Sequence, residues 1–451
     1  MKPKLFGSSG IRGLANIDIT PTLAQRVGVA IATTYEGGTT VIGRDARLTG
    51  PMLESALTSG VNAAGGDVIQ VGLVPTPVVA WMINETGSES GVAVTASHNP
   101  PTYNGLKVFN SGGVSLTINE QLMLEELLEE ERYDWATWNQ VGSVEEIDVI
   151  EPYVDMLAES INIDSEYVVG LDCFCGATST LAPIAFAEFP VKTYYINAVP
   201  DGKFPAGNPE PTKASLQRLG EYMKQKKCDI GFGFDGDGDR VMLVGSDGAM
   251  VDPDRALAAY AGYVVERNGG GTVVTHVGAS MSIDTMVKEI GGEVVRTPVG
   301  DSFITEAMLE HNAVFGGEPV GAWVFPEHHM CPAGVLGALK VLEALDYLDK
   351  SLDEFIEAAP VYPLDRAKME CGNDRKQSTM KAINENYQVA FKDAESISSV
   401  DGVRIETSVG WTLIRPSGTE PLIRITVEGK TKKDVGYLME KSKELVRKAM
   451  H

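Results

Sequence analysis

Residues 90–99 read SGVAVTASHN, and the run continues as PPTYNGLK to Lys107. Small and β-branched apolar residues give way abruptly to a serine, a histidine, two prolines and a glycine. The first half reads as a strand and the second as a polar, turn-rich loop. Two further places show the same transition. CDIGFGFDGDGDR (228–240) runs from an apolar stretch into spaced aspartates, and NAVFGGEPVGAW (312–323) runs into a glutamate between glycines.

Each of these transitions closes a similar unit. The first unit has TTVIGRD (39–45), GGDVIQVGLVPTP (65–77) and then 90–99. The second has YVVGLDC (167–173), VKTYYINAVPDG (191–202) and then 228–240. The third has GTVVTHV (271–277), GGEVVRTPVGD (291–301) and then 312–323. Strand, helix, strand ending near proline, helix, strand and loop repeat three times at domain-sized spacing, which implies βαβ units and not a solenoid. Ligands of open α/β sheets bind beyond strand C-termini, so three such loops can point into one interdomain cleft. The remainder differs. APVYPLDRA (359–367) reads as a linker, GWTLIRPSGTEPLIRITVEG (410–429) as two strands around a tight loop, and the tail has apolar positions 435, 438, 439, 445, 446 and 449 at helical spacing. The expected fold class is α/β: three related mixed α/β domains over 1–149, 150–250 and 251–358, and a C-terminal α+β domain over 359–451, around a central cleft.

A chain of 451 residues with 43% hydrophobic and 22% charged residues is ordinary globular material for three or four domains. Its net charge of −24 opposes nucleic-acid or anionic-membrane binding. A local basic pocket for a small anion is compatible with that excess. The acidic run EELLEEERYD (125–134) reads as the solvated side of an amphipathic helix. No apolar run reaches membrane-spanning length, and the opening MKPKLFGSSG lacks a signal-peptide core, so a cytoplasmic location is expected. The five cysteines form no C-x-x-C pair, and HHMC (328–331) lacks a second ligand cluster at zinc spacing.

DGDGDR (235–240) is the sharpest chemical signal. In a glycine-spaced loop, Asp235, Asp237 and Asp239 can converge on one hard cation. GFGFDG matches a dinucleotide fingerprint, but three aspartates would repel a pyrophosphate and a strand follows where a helix is required. The calcium EF-hand pattern fails too, with Arg240 at the glycine position and Ser246 at the glutamate position. RPSGTEP (415–421) offers Arg415, Ser417, Gly418 and Thr419, an inventory suited to a phosphate. Taken alone it is also a plain turn. FGSSGIRG (6–13) carries Arg12, and Glu318 could accept from hydroxyls; each is weak alone. Ser97 has two readings, a phosphoryl carrier facing the aspartate cation or a cap or turn. Neighbouring side chains on an extended chain point oppositely, which argues against a Ser97–His98 dyad, and there is no G-x-S-x-G elbow.

Together the loops TASHNPPTYNGLK, DGDGDR, GGEPVGAW and RPSGTEP resemble, in order, those of the α-D-phosphohexomutase superfamily. FGSSGIRG and DGKFPAGNPEP (201–211) match further segments, so the resemblance covers essentially the whole chain. It implies an intramolecular phosphotransferase with a phosphorylated Ser97. Mg2+ would be held by Asp235, Asp237, Asp239 and the phosphoserine, and a sugar bisphosphate would be intermediate and activator. Lys107 is expected in proton transfer, with His98, Arg12 and Arg240 binding phosphate or substrate. The family's sugar loop commonly reads Gly-Glu-x-Ser-Gly-His. Here Glu318 and Gly321 stand, while Val320 and Ala322 replace the serine and histidine. The loop is similar to that of archaeal phosphoglucosamine mutases, which implies a glucosamine phosphate contacted by Glu318 and Asp301. Mannose or glucose phosphate is the rival substrate, and a non-catalytic sugar-phosphate binder or a Mg2+-dependent phosphatase the rival activity. Oligomeric state is left open, a homo-oligomer included.

Overall fold

The structure, a computed structural model, describes residues 3–7, 10–417 and 420–450. Its strands form four sheets, and the first three share one core topology. In the first, Val68–Leu73, Thr40–Arg44 and Ser90–Val94 lie side by side and parallel, and Tyr103–Asn110 returns antiparallel beside Ser90–Val94. In the second, Val191–Ile196, Tyr167–Asp172 and Ile230–Phe234 are parallel, with Val241–Val244 antiparallel at the edge. In the third, Glu293–Thr297, Thr272–His276 and Phe315–Gly317 are followed by Trp323–Val324. The repeat read from the sequence is therefore a repeat of strand order. In each unit the chemistry-bearing loop joins the third parallel strand to its antiparallel return.

The same turn ends the first strand of every unit. Asp45 accepts the Arg47 amide at 2.9 Å, Asp172 accepts the Phe174 amide at 2.9 Å, and His276 Nδ1 accepts the Gly278 amide at 2.9 Å. Each side chain thus replaces the backbone partner that the chain loses on leaving the sheet.

The parallel strands read as unbroken apolar runs because helices cover both their faces. Ser90–Val94 and Ile230–Phe234 are buried at every position. Val41, Phe232, Val273 and Phe315, drawn from all three units, belong to one continuous apolar cluster.

The fourth sheet has its own core, built on Ile405, Ile414, Ile425 and Leu438. It contains five antiparallel strands in the order Leu364–Glu370, Leu422–Gly429, Gly410–Pro416, Val403–Thr407 and Ala394–Ser398. Helix Lys432–Ala449 buries Val435, Leu438, Met439, Leu445 and Val446, as the spacing predicts. Two expectations are corrected here. The segment 359–367 contains the start of an edge strand, and its alternating charges (LDRAKME) disguised it. Three strands and helix Lys376–Ala390 were not foreseen.

The acidic run also needs correction at one position. Helix Ile118–Glu130 does expose most of its glutamates, but Glu125 is buried. Its carboxylate accepts the backbone amides of Lys4, Leu5 and Phe6, and so anchors the first strand.

Candidate active site

Ser97 is completely buried and has φ of 50°, in the left-handed region that a residue with a Cβ rarely adopts. No helix starts in the loop, so Ser97 is not a helix cap. Its hydroxyl donates to Asp235 Oδ2 at 2.7 Å. The left-handed turn also brings His98 Nδ1 to 3.1 Å from Ser97 Oγ, contrary to the expectation that the two side chains diverge. That expectation assumed an extended chain, which this residue is not. With the hydroxyl proton on Asp235, the oxygen presents a lone pair to His98, which fits the tautomer protonated at Nδ1. Burial, then the Arg240 and Arg12 charges, push His98 down to about 4, so the ring is neutral at physiological pH.

The three aspartates follow strand Ile230–Phe234 and are all buried, with carboxylate oxygens within 4.8 Å of one another. Gly236 lets the loop approach: a Cβ there would lie 2.5 Å from the Ser97 carbonyl oxygen and 3.0 Å from Pro209 Cγ. Asp235 Oδ1 accepts the Arg240 amide at 3.2 Å, and Asp237 Oδ2 accepts from Thr76 Oγ1 and Lys107 Nζ at 2.7 Å each. Lys107 Nζ also bonds Asp239 Oδ2. Asp237 Oδ1 and Asp239 Oδ1 remain buried with no hydrogen-bond partner among the described residues. Burial and the charges of Asp239 and Asp237 push Asp235 well above the usual carboxylate range. Burial alone would raise Asp237 as well, but Lys107 holds it below its ordinary value. Lys107 and, 3.7 Å from Asp239 Oδ1, Arg240 offset part of the charge of the three gathered carboxylates, and two hard oxygens stay without hydrogen bonds among the described residues, which is the donor set of a divalent-cation site.

Lys107 comes from strand Tyr103–Asn110 and is almost fully buried. Burial disfavours its charge, yet Asp237 and Asp239 overcome this and hold its pKa above the ordinary lysine value. Arg12, on strand Gly10–Leu14, has a buried Nε without a hydrogen-bond partner among the described residues.

The sugar loop is stitched to the aspartate loop. Arg240 pairs with Ala322 in an isolated bridge, and the Val241 amide donates to Gly321 O at 3.0 Å. Gly321 has φ of 82°, and a Cβ would lie 2.0 Å from Val241 O, so the backbone geometry requires glycine there. Glu318 is 6% exposed and accepts the Gly300 amide at 3.1 Å. Burial, then the nearby Asp301 charge, raise it to about 7. Asp301 opens helix Asp301–His311, and Ser115 of the first unit donates to it at 3.5 Å.

Arg415 is the last residue but one of strand Gly410–Pro416 and pairs with Asp401 at 2.6 Å. The same Asp401 oxygen accepts the Val299 amide at 3.4 Å, linking the fourth unit to the segment before Asp301. Ser417 Oγ accepts the Glu420 amide at 3.2 Å, and Lys376 Nζ donates to the carbonyls of Ser417 and Glu420 at 2.5 Å each. Gly418 and Thr419 lie outside the described residues. Sequence reasoning missed Asp45, Arg47, Thr76, Thr95 and Lys376. GRDAR (43–47), with two arginines and an aspartate at a strand end, was the one local signal that could have found the first two. As for HHMC, His329 is a core residue bonded to the Tyr153 hydroxyl at 3.0 Å.

A serine bonded into a buried aspartate cluster, three α/β units of one strand order and a separate fourth unit define a phosphohexomutase. Comparison with known proteins agrees in all four parts. The phosphoglucomutase/phosphomannomutase alpha/beta/alpha domains I, II and III match residues 3–134, 151–248 and 252–362, and the C-terminal domain matches 367–445. The chain belongs to the phosphoglucomutase/phosphomannomutase family. It is 41% identical over 447 residues to a probable phosphoglucosamine mutase of Pyrococcus abyssi, covering 99% of this chain and 98% of that one. It is 38% identical to the phosphoglucosamine mutase of Methanocaldococcus jannaschii, with 99% of each covered. A phosphoglucomutase/phosphomannomutase family protein from Burkholderia thailandensis superposes with a TM-score of 0.89 at 27% identity, over 99% of this chain and 97% of that one. Among the described residues, no helix is long and apolar enough to cross a membrane.

Proposed function

We propose that this phosphohexomutase interconverts glucosamine 6-phosphate and glucosamine 1-phosphate, with Ser97 as phosphoryl carrier. The observation that carries the reading is the buried Ser97 hydroxyl, 2.7 Å from Asp235 at the edge of the aspartate cluster. In the phosphorylated enzyme a sugar hydroxyl oxygen forms a new P–O bond as the bond to Ser97 Oγ breaks. One proton passes, net, from that hydroxyl to Ser97 Oγ; Lys107, held protonated by Asp237 and Asp239, would give its proton to Ser97 Oγ and take up the hydroxyl's in exchange. Asp235, Asp237, Asp239 and the phosphoserine would hold Mg2+, which when bound supplies neutralisation of the phosphoryl charge. Arg12 and Arg240, whose charges reach His98 beside Ser97, would bind the phosphoryl group, neutral His98 would steady Ser97, and Arg415 with Ser417 would grip the sugar's other phosphate. The resulting bisphosphate turns over in place, and its second phosphate rephosphorylates Ser97. The glucosamine assignment is supported by relatives carrying that name and by a sugar loop lacking the serine and histidine, with the carboxylates of Glu318 and Asp301 beside it.

The test compares kcat/KM for glucosamine, glucose and mannose phosphates with Mg2+ and a trace of sugar bisphosphate. A preference for glucosamine phosphate above ~100-fold, about 2.7 kcal/mol of transition-state discrimination, is expected. Equal or greater activity on mannose or glucose phosphate would overturn the substrate and leave the carrier mechanism standing. Ser97→Ala should abolish turnover; retained turnover would remove the carrier.

A further inference from the structure

Arg47 is fully buried, and every N–H of its guanidinium is used. Nε donates to Asp45 Oδ2 at 2.9 Å. Nη1 donates to the carbonyls of Pro100 and Tyr103 at 2.7 and 2.9 Å, and Nη2 to those of Ser97 and Asn99 at 2.8 and 2.7 Å. Four carbonyls of the serine loop thus converge on one planar cation some fifty residues earlier in the chain. A second line of bonds reaches the Ser97 amide. Asp45 Oδ2 accepts from Thr95 Oγ1 at 2.6 Å, and Thr95 Oγ1 accepts the Ser97 N–H at 2.8 Å. Ser97 is therefore held at its amide and at its carbonyl by one Arg47–Asp45–Thr95 unit.

The unit is closed from the other side by the second domain. The guanidinium carbon lies 5.2 Å from the centroid of the Phe204 ring. Gly202 packs so closely on residues 46–48 that a Cβ would sit 2.3 Å from Ala46 O. This gives the segment DGKFPAGNPEP, which carries none of the proposed chemistry, a function as the cover of that cation.

We propose that Arg47, acting through Asp45 and Thr95, is the positioning residue that imposes the left-handed conformation on Ser97 and so aims its oxygen at the aspartate cluster. A residue with a Cβ seldom adopts φ near 50°, and the loop's own turn across Ser97, Asn99 N–H to Ala96 O at 3.0 Å, leaves the Ser97 amide and carbonyl to be fixed by the Arg47 unit. A lysine cannot substitute, because one ammonium cannot span a carboxylate and four carbonyls in a plane. The inference rests on Ser97 being the phosphoryl carrier.

The experiment uses the full-length enzyme and four variants: T95V, T95S, R47K and S97A. T95V keeps the side-chain shape but removes the acceptor for the Ser97 amide and the donor to Asp45, whereas T95S keeps the hydroxyl. T95V is expected to lower kcat at least tenfold with KM for the sugar phosphate within threefold of the parent, and T95S to recover at least half of kcat. Intact-mass measurement should show slower phosphorylation of Ser97 by sugar bisphosphate in T95V. R47K should lower kcat in the same way; if it does not fold, the Thr95 pair decides. A kcat in T95V within twofold of the parent, or T95S as impaired as T95V, overturns the proposal. S97A without activity beside an unaffected T95V overturns this inference alone. S97A as active as the parent overturns the carrier reading and this inference with it.

Discussion

Glu318 shows how much of the site's chemistry depends on single environments. Its pKa is raised to about 7, first by burial and then by Asp301. A carboxyl raised in the folded state contributes stability that is fully present below its unfolded value near 4.5 and is lost as pH climbs through about 7. Glu318→Gln should therefore melt at a higher temperature than the parent at pH 8 and at the same temperature at pH 4.5, as followed by thermal unfolding at both pH values. Equal melting at pH 8 would mean that Glu318 is not strained when ionised. The aspartates make the complementary case. Their orphaned oxygens predict that Mg2+ stabilises the fold by about 2.7 kcal/mol at a hundredfold excess over Kd. The resulting rise in Tm should vanish in Asp237→Asn, and a parent protein whose Tm ignores Mg2+ would contradict the cation site.

At the scale of elements, the site is made where two loops from different sheets touch, and glycine permits the contact. Gly236→Ala would place a methyl 2.5 Å from the Ser97 carbonyl oxygen and 3.1 Å from Pro209 Cβ. Overpacking of this kind costs about 1–3 kcal/mol. The strain falls between Ser97 and Asp235, so kcat should drop by at least tenfold while the remaining folded protein keeps its circular-dichroism spectrum. Unchanged kcat would show that the two loops do not need this approach. The repeated hairpin, with its loop between the third strand and its return, was readable because each strand is a local apolar run ended by polar residues. The fourth sheet was readable only in the two strands around RPSGTEP: its strand Leu364–Glu370 is an exposed edge whose residues alternate with charges, and edge strands need no continuous apolar pattern.

The whole molecule divides mechanically. The first three units share one apolar cluster, whereas the fourth has its own and meets the third through a small apolar cluster of Val277, Trp411 and Leu413 and through polar contacts around it. Glu428 accepts from Ser280 Oγ at 2.6 Å and from the Met281 amide and Trp411 Nε1 at 2.7 Å each. Arg404 bonds the Val277 carbonyl and stacks 4.0 Å from the Trp411 ring centroid. A joint this small can hold more than one arrangement, which suits the phosphate grip proposed for Arg415 and Ser417. Glu428→Ala would leave two buried donors, Ser280 Oγ and Trp411 Nε1, unpaired at about 1–3 kcal/mol each, along with the half-buried Met281 amide. Calorimetry should then resolve a lower-temperature transition of the C-terminal unit, and a single unshifted transition would show that the joint carries no stability.

Read alone, the sequence determined the repeated α/β units, the aspartate loop and the candidate serine, because each strand and each loop announces itself within about a dozen consecutive residues. Only the tertiary structure decided that Ser97 is left-handed and beside His98, that Arg47 clamps its loop, that Glu125 anchors the first strand, and that Glu428 joins the fourth unit to the third. The last three of those facts pair residues from roughly fifty to about 150 positions apart. Hydrophobic periodicity records burial along one element and carries no information about which distant polar group will meet it.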